Sequence, residues 1–134
     1  MMKDLYCIMG ECIHEFQKLE DSLFLLMFEN KERTRDYNKL YQWIEDTEKL
    51  TLGQKLPQVF SLRKMGAQDQ LVLNYIKDQR NYFVHQFFID HDFGTKERIL
   101  AAQFELEELK GHLQLINRAI KNMLKDKVNK RKRY

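Results

Sequence analysis

The sequence predicts an all-α fold, a four- to five-helix up-down bundle with a short kinked helix before the fourth. Three observations lead there. Apolar residues recur at steps of three and four through long stretches near both ends of the chain, the spacing of one helix face. Helix breakers are few: five Gly and one Pro in 134 residues. Those few, with short polar clusters, divide the chain into segments of helix length. A chain of this length makes one domain and can bury a real core.

The first helix is expected over about residues 3–30. Leu5, Ile8, Cys12, Phe16, Leu19, Leu23 and Leu26 form an apolar stripe along it. Gly10 interrupts the helix at a cost of roughly 1 kcal/mol against Ala, and offers a place for close helix packing. Residues 30–34 read as a polar loop. A second helix, about 35–49, carries Tyr37, Leu40, Tyr41 and Ile44 on one face, and the amphipathic Trp43 and Tyr37 are candidates to border a groove, with packing as the default reading. Thr51-x-x-Gln54 has the form of a capping box and starts a short third helix that ends near residue 64. Pro57 inside it predicts either a kink or a start at Pro57 itself. Gly66 is the stop.

The fourth helix, about 67–89, has Leu71, Val72, Tyr75, Ile76, Phe83, Val84 and Phe87 on its apolar sides. Asn74, Asp78, Asn81, His85 and Asp92 make a polar row at helical spacing. Residues 90–94 break the pattern, and Thr95 is the N-cap of a last helix over about 96–126. That helix repeats the stripe with Ala102, Leu106, Leu109, Leu113, Ile116, Ile120 and Met123. Residues 1–126 thus form a single helical bundle domain, and 127–134 a basic tail expected to fray.

Charge is uneven along the chain. The net charge is +3, but residues 121–134 hold seven Lys and Arg against one Asp, so the body is mildly acidic and the tail basic. Lys130, Arg131, Lys132 and Arg133 are therefore candidates for contact with RNA phosphates. Without interleaved aromatics they suit a polyanion rather than a particular sequence. No run approaches the ~18 apolar residues of a membrane helix, and the first residues lack a secretory apolar region, so the expected location is cytoplasmic, with no membrane partner. Cys7 and Cys12 are five apart on one helix, too far for a disulfide, and read as small apolar residues in a reducing compartment.

Chemistry concentrates in Gln79-Arg80-Asn81-Tyr82-Phe83-Val84-His85-Gln86-Phe87-Phe88. No Gly-rich phosphate loop, no His pair at i, i+4 and no Gly-x-Ser-x-Gly occurs, which leaves P-loop, zinc and serine-nucleophile chemistry without support and no cofactor implied. What remains is a His, an Arg and an amide. Asn81 and His85 are four apart and share a face. Arg80 and His85 are five apart, about 140° around the axis at ~100° per residue. Arg80 can bend toward the same space, or a neighbouring copy can supply the second group. Glu15, flanking the first stripe, and Asp78, in the polar row, are candidates to orient Arg80 or His85.

Arg80-Asn81-x-x-x-His85 resembles the Arg-polar-x(3)-His signature of HEPN domains (higher eukaryotes and prokaryotes nucleotide-binding). It sits late in an all-helical chain, as in that family. Leu50-Thr51-Leu52-Gly53-Gln54 is similar to the Leu-Gly turn of some prokaryotic members. The resemblance implies a HEPN-like bundle and a homodimer whose two motifs line a shared cleft and cleave RNA without metal. Arg80, Asn81 and His85 would be the catalytic set. His85 would move the proton of a ribose 2′-OH and Arg80 would stabilise charge on the phosphate. The family's His-x-Tyr, where the Tyr is adenylylated by an antitoxin, is here His85-Gln86-Phe87, so that control is not expected. An antitoxin or operon partner remains implied by the family. The alternative reading is a non-catalytic helical dimerisation or binding module, acting as a partner subunit or as a nucleic-acid-binding regulator through the tail.

Overall fold

The computed structural model describes residues 2–30, 36–62, 65–91 and 93–132, with the side chains of 29, 30, 62 and 126–132 left aside. The described residues form six helices and no strand: α1 (Met2–Asn30), α2 (Tyr37–Glu48), α3 (Leu52–Leu62), α4 (Ala67–His85), α5 (Phe87–Asp90) and α6 (Lys96–Lys132).

The two stripes read from the sequence form the larger part of the core, which α3, α4 and Phe87 complete. All seven stripe residues of α1 are buried, and so are Ala102, Leu106, Leu109, Leu113, Ile116 and Ile120 of α6, with Met123 packed at the edge. The two helices lie against each other. Glu11 meets Lys110, Glu15 meets Asn117, and Leu25 and Leu124 border one groove. The partner numbers rise together, so α1 and α6 run parallel. α4 runs the other way along α6: Tyr75 meets His112, whereas Gln79 and Tyr82 border Glu105 and Leu106. α3 packs on α1 and on α4.

Local chemistry explains the helix ends. Thr51 and Gln54 form the reciprocal capping box: the Gln54 N–H donates to Thr51 Oγ1 at 3.2 Å, and the Thr51 N–H donates to Gln54 Oε1 at 2.9 Å. α3 therefore begins at Leu52 rather than at Pro57, and runs through the proline. Thr95 caps α6 by accepting from the Arg98 N–H at 3.3 Å. Asp36 caps α2 in the same way, accepting from the N–H groups of Asn38 and Lys39. Gly66 stands as the N-cap of α4, and residues 63 and 64 lie outside the described residues. α6 continues past the expected end near residue 126 to Lys132. No Gly or Pro follows Gly111, Lys and Arg are good helix formers, and cations suit a helix C-terminus. The side chains of Lys130, Arg131 and Lys132, and the whole of Arg133, are outside the description.

α2 departs from expectation. Tyr37 and Tyr41, which share a face with Leu40 and Ile44 by spacing, are 72% and 66% exposed, and its buried residue is Thr47. The helix docks instead through Trp43, whose ring centroid lies 5.8 Å from Phe24 and 6.0 Å from Phe28 of α1. One indole packed against two stacked rings buries more apolar area than either tyrosine, whose phenol tip tolerates water.

Gly10 is not a close-packing site. A Cβ built on it, or on Gly111 of α6, meets nothing within 4 Å. Gly10→Ala and Gly111→Ala are each expected to stabilise the fold by about 0.5–1 kcal/mol through helix propensity and a stiffer unfolded chain. Thermal denaturation followed by circular dichroism checks this; a lowered midpoint would contradict the open space around either site.

The cysteines are both free, but they differ. Cys7 is exposed. Cys12 is fully buried, its thiol donates to the Leu106 carbonyl at 3.4 Å, and burial pushes its pKa up to about 11. Native labelling with a thiol alkylator, read by mass spectrometry, is expected to modify Cys7 alone, and labelling in denaturant both.

Candidate functional site

The motif falls at the C-terminal end of α4, and the helix sorts its members onto different sides. Leu73, Ile76 and Phe83 are the buried residues of this helix. Arg80 is four on from Ile76 and three before Phe83, so it stands on the same inward line. Its guanidinium does not bend toward His85. It meets Glu20 of α1, Nε to Oε1 at 3.4 Å, with both side chains about one-third exposed. Asn74, Asp78, Asn81 and His85 form the outward row, all exposed, and Asp78 pairs with Lys77 at 3.7 Å. Asp92, the last of the expected row, lies outside the described residues. Asn81 and His85 therefore share an open face, and Arg80 is held on another.

The helix does not run on to residue 89 as expected. It stops at His85, turns at Gln86 (φ −123°, ψ −25°), and resumes for the single turn of α5. The Gln86 N–H closes α4 on the Tyr82 carbonyl at 2.8 Å. The reason is aromatic packing. In a straight helix Phe83 and Phe88 would point about 140° apart. The break brings their rings to 6.4 Å and lets Phe87 and Phe88 both reach Phe93, at 6.3 and 6.1 Å. Phe87 is fully buried in this cluster. Val84, Phe88 and Ile89, beside His85 in the chain, are more than half exposed.

The cluster also holds a histidine that the sequence did not single out. His91 Nε2 lies 2.8 Å from Glu105 Oε2 of α6 and 3.5 Å from the Tyr82 hydroxyl. Its ring centroid is 4.4 Å from that of Phe87, and the ring is parallel to Phe93 within 6°. Burial, with the charges of Glu105 and Asp90, raises the Tyr82 phenol above its ordinary pKa, so it stays a neutral hydroxyl. This triad ties α4, the turn after α5 and α6 together. No local spacing announces it, because its members are 9 and 14 residues apart on separate elements.

Glu15 does not reach the motif. It is buried against α6, where Asn117 Nδ2 donates to its Oε2 at 2.8 Å and to its backbone carbonyl at 3.0 Å, with Lys18 at 3.3 Å on the other oxygen. The carboxylate beside Arg80 is Glu20 instead, a residue with no distinguishing sequence signal because it flanks the stripe like any solvated acid. Among the described residues, no group of three His, Cys, Asp or Glu side chains gathers as a metal site, and no helix is long and apolar enough to cross a membrane.

Glu15 carries a pH dependence. Burial pushes its pKa up, but the hydrogen bonds from Asn117 and Lys18 and the Lys18 charge outweigh that, leaving it below its ordinary 4.5. A depressed carboxylate pKa contributes stability that is fully present above the ordinary value and is lost as pH falls through the folded value. Glu15→Gln is therefore expected to flatten the acid limb of the stability curve below about pH 4.5 and to leave little pH dependence of its own. Denaturant titrations across that range measure it, and an unaltered acid limb would remove Glu15 from the account.

Comparison of the chain with protein-family models, with curated proteins and with solved structures returns no match.

Proposed function

We propose that the chain is a metal-independent endoribonuclease of the HEPN type, with an active site completed by a second copy of itself. The observation that carries this is the outward placement of His85 and Asn81 on an open face edged by exposed Val84, Phe88 and Ile89. Exposed apolar side chains beside a polar row suit burial against a like surface. Two copies related by a two-fold axis would bring two imidazoles to one cleft, which supplies the two proton transfers that strand cleavage requires.

In that cleft one His85 takes the proton of a ribose 2′-OH, and the oxygen attacks the adjacent phosphorus. The bond to the 5′ oxygen breaks, and the second copy's imidazolium protonates the leaving oxygen. The products are a 2′,3′-cyclic phosphate and a 5′-hydroxyl. Arg80, held on another face, leaves Glu20 and swings toward the cleft to stabilise charge on the phosphate oxygens. Its present partner, Glu20, is a carboxylate about one-third exposed, and such a partly solvated pair is worth about 1 kcal/mol, so a phosphate can displace it. Asn81, one turn from His85, orients the imidazole or the substrate. A role in defence, toxin–antitoxin pairing or stress belongs to the same proposal.

The Arg80–Glu20 pair also favours a second reading, a non-catalytic helical dimerisation or binding module, because it already occupies the guanidinium. The two readings separate on one experiment. His85→Ala and Arg80→Ala are expected to keep the helical circular-dichroism spectrum and to lower cleavage of a labelled RNA at least ~100-fold, with metal chelators leaving the parent activity intact. Cleavage unchanged in both variants overturns the ribonuclease reading. A dimer that never cleaves RNA is the outcome that belongs to the binding module.

A further inference from the structure

The outward face of α6 carries apolar side chains that the core does not take up. Phe104 is 67% exposed, Leu115 63% and Leu100 48%. Separations of four and eleven residues put all three within about 60° of one another around the axis, at ~100° per residue. Leu71 of α4 widens this surface beside Leu115. It is exposed and one turn from Tyr75, which meets His112, one turn before Leu115, and the two helices run antiparallel.

Charge on the same face is divided by position. Glu97, Glu107 and Glu108 stand in its first half, with Lys96 at the flank, and Arg118, Lys121 and Lys125 in its second; all are exposed. The pattern has a midpoint at Gly111. Phe104 and Arg118 lie seven residues to either side of it, and Glu97 and Lys125 fourteen. A step of seven returns to nearly the same side of a helix, so Glu97, Phe104, Gly111, Arg118 and Lys125 form one line. Read backwards, that line sets cation against anion and cation against ring. A Cβ built on Gly111 meets nothing within 4 Å, so the midpoint is open.

We propose that this face pairs with the same face of a second copy, the two α6 helices antiparallel about a two-fold axis at Gly111. A two-fold contact presents one surface to itself, and a charge pattern that complements its own reversal is what such a contact needs. A foreign partner requires no such symmetry. Each Glu97 then meets the second copy's Lys125. Each Phe104 lies against the second copy's Arg118, a cation on an aromatic face, with Leu115 one turn away. Glu107 stands one turn from Phe104 and also faces Arg118. The contact is separate from the one proposed at His85 and does not depend on RNA cleavage. Glu97 to Lys125 spans about 42 Å at 1.5 Å per residue, and a single helix pair of that length belongs to the small, reversible class of interfaces.

The test is sedimentation velocity at low ionic strength on the chain carrying Val84→Asp and Ile89→Asp, which blocks the contact proposed at His85 and leaves α6 unaltered. A dimer is expected at roughly 10–100 µM. Glu97→Lys with Glu107→Lys gives both halves of the face net positive charge, and Arg118→Glu with Lys125→Glu gives both net negative charge. Each change is expected to weaken the dimer at least tenfold, because attractive pairs become repulsive ones and each pair occurs twice. Phe104→Ser, which alters no charge, is expected to weaken it likewise. The side chains changed are all exposed, so each variant keeps its helical circular-dichroism spectrum. Mixed in equal amounts, the positive and negative variants are expected to form a dimer of mixed mass, read by native mass spectrometry. A parent that stays monomeric through that range, a dimer undiminished in either charge variant, or two variants that stay apart when mixed overturns the proposal.

Discussion

The parallel seam between α1 and α6 is the constraint on which the other elements depend. Parallel helices set like dipole ends side by side, an unfavourable arrangement of at most about 1 kcal/mol near the termini. Each buried leucine returns about 1.5–3 kcal/mol, and the seam buries several from each helix. Burial therefore wins easily. Burial alone does not fix register, however, since leucine against leucine tolerates a slide of one turn. Register comes from the polar groups beside the stripe: Lys110 on Glu11, Asn117 on Glu15 and the Cys12 thiol on the Leu106 carbonyl. A slide would strand a buried carboxylate, which costs far more than a displaced methyl group.

With that seam set, α4 has its side chains chosen for it. Its inward line must meet the core, and Leu73, Ile76 and Phe83 do so. Arg80 lies on the same line, where an apolar residue would be the simpler occupant. α1 supplies Glu20 at that height, so the guanidinium is paired at the edge of the core and stays partly open to solvent. One helix thus provides both the main core surface and the carboxylate that positions the cation of the motif.

The end of α4 is governed by rings rather than by backbone hydrogen bonds. Phe83, Phe87, Phe88 and Phe93 cannot all pack on a straight helix, and the turn at Gln86 resolves this. His91, gripped by Glu105, closes the cluster against α6. The consequence for the surface is direct: His85 becomes the last residue of α4, and the apolar residues that the core does not take up stand beside it.

The long stripes, the capping box at Thr51 and the cap at Thr95 were legible in the amino-acid sequence, because helical periodicity and capping are local: every partner lies within four residues. The all-α class follows from the same local rules. The inward side of α2 was not legible, because Tyr37, Tyr41 and Trp43 all offer apolar surface and only Phe24 and Phe28 of α1 decide among them. The break at Gln86 was hidden for a like reason, since its cause includes Phe93, beyond the helix. In the candidate site, the shared face of Asn81 and His85 could be read from their spacing. Glu20 beside Arg80, the His91–Glu105 pair and the Glu15–Asn117 pair could not, for each joins residues from different elements. The sequence alone determined the helical class and the long lines that α1 and α6 bury; the tertiary structure decided the buried face of α2, the break at Gln86 and which polar groups meet, because these depend on how the packed helices are set against one another.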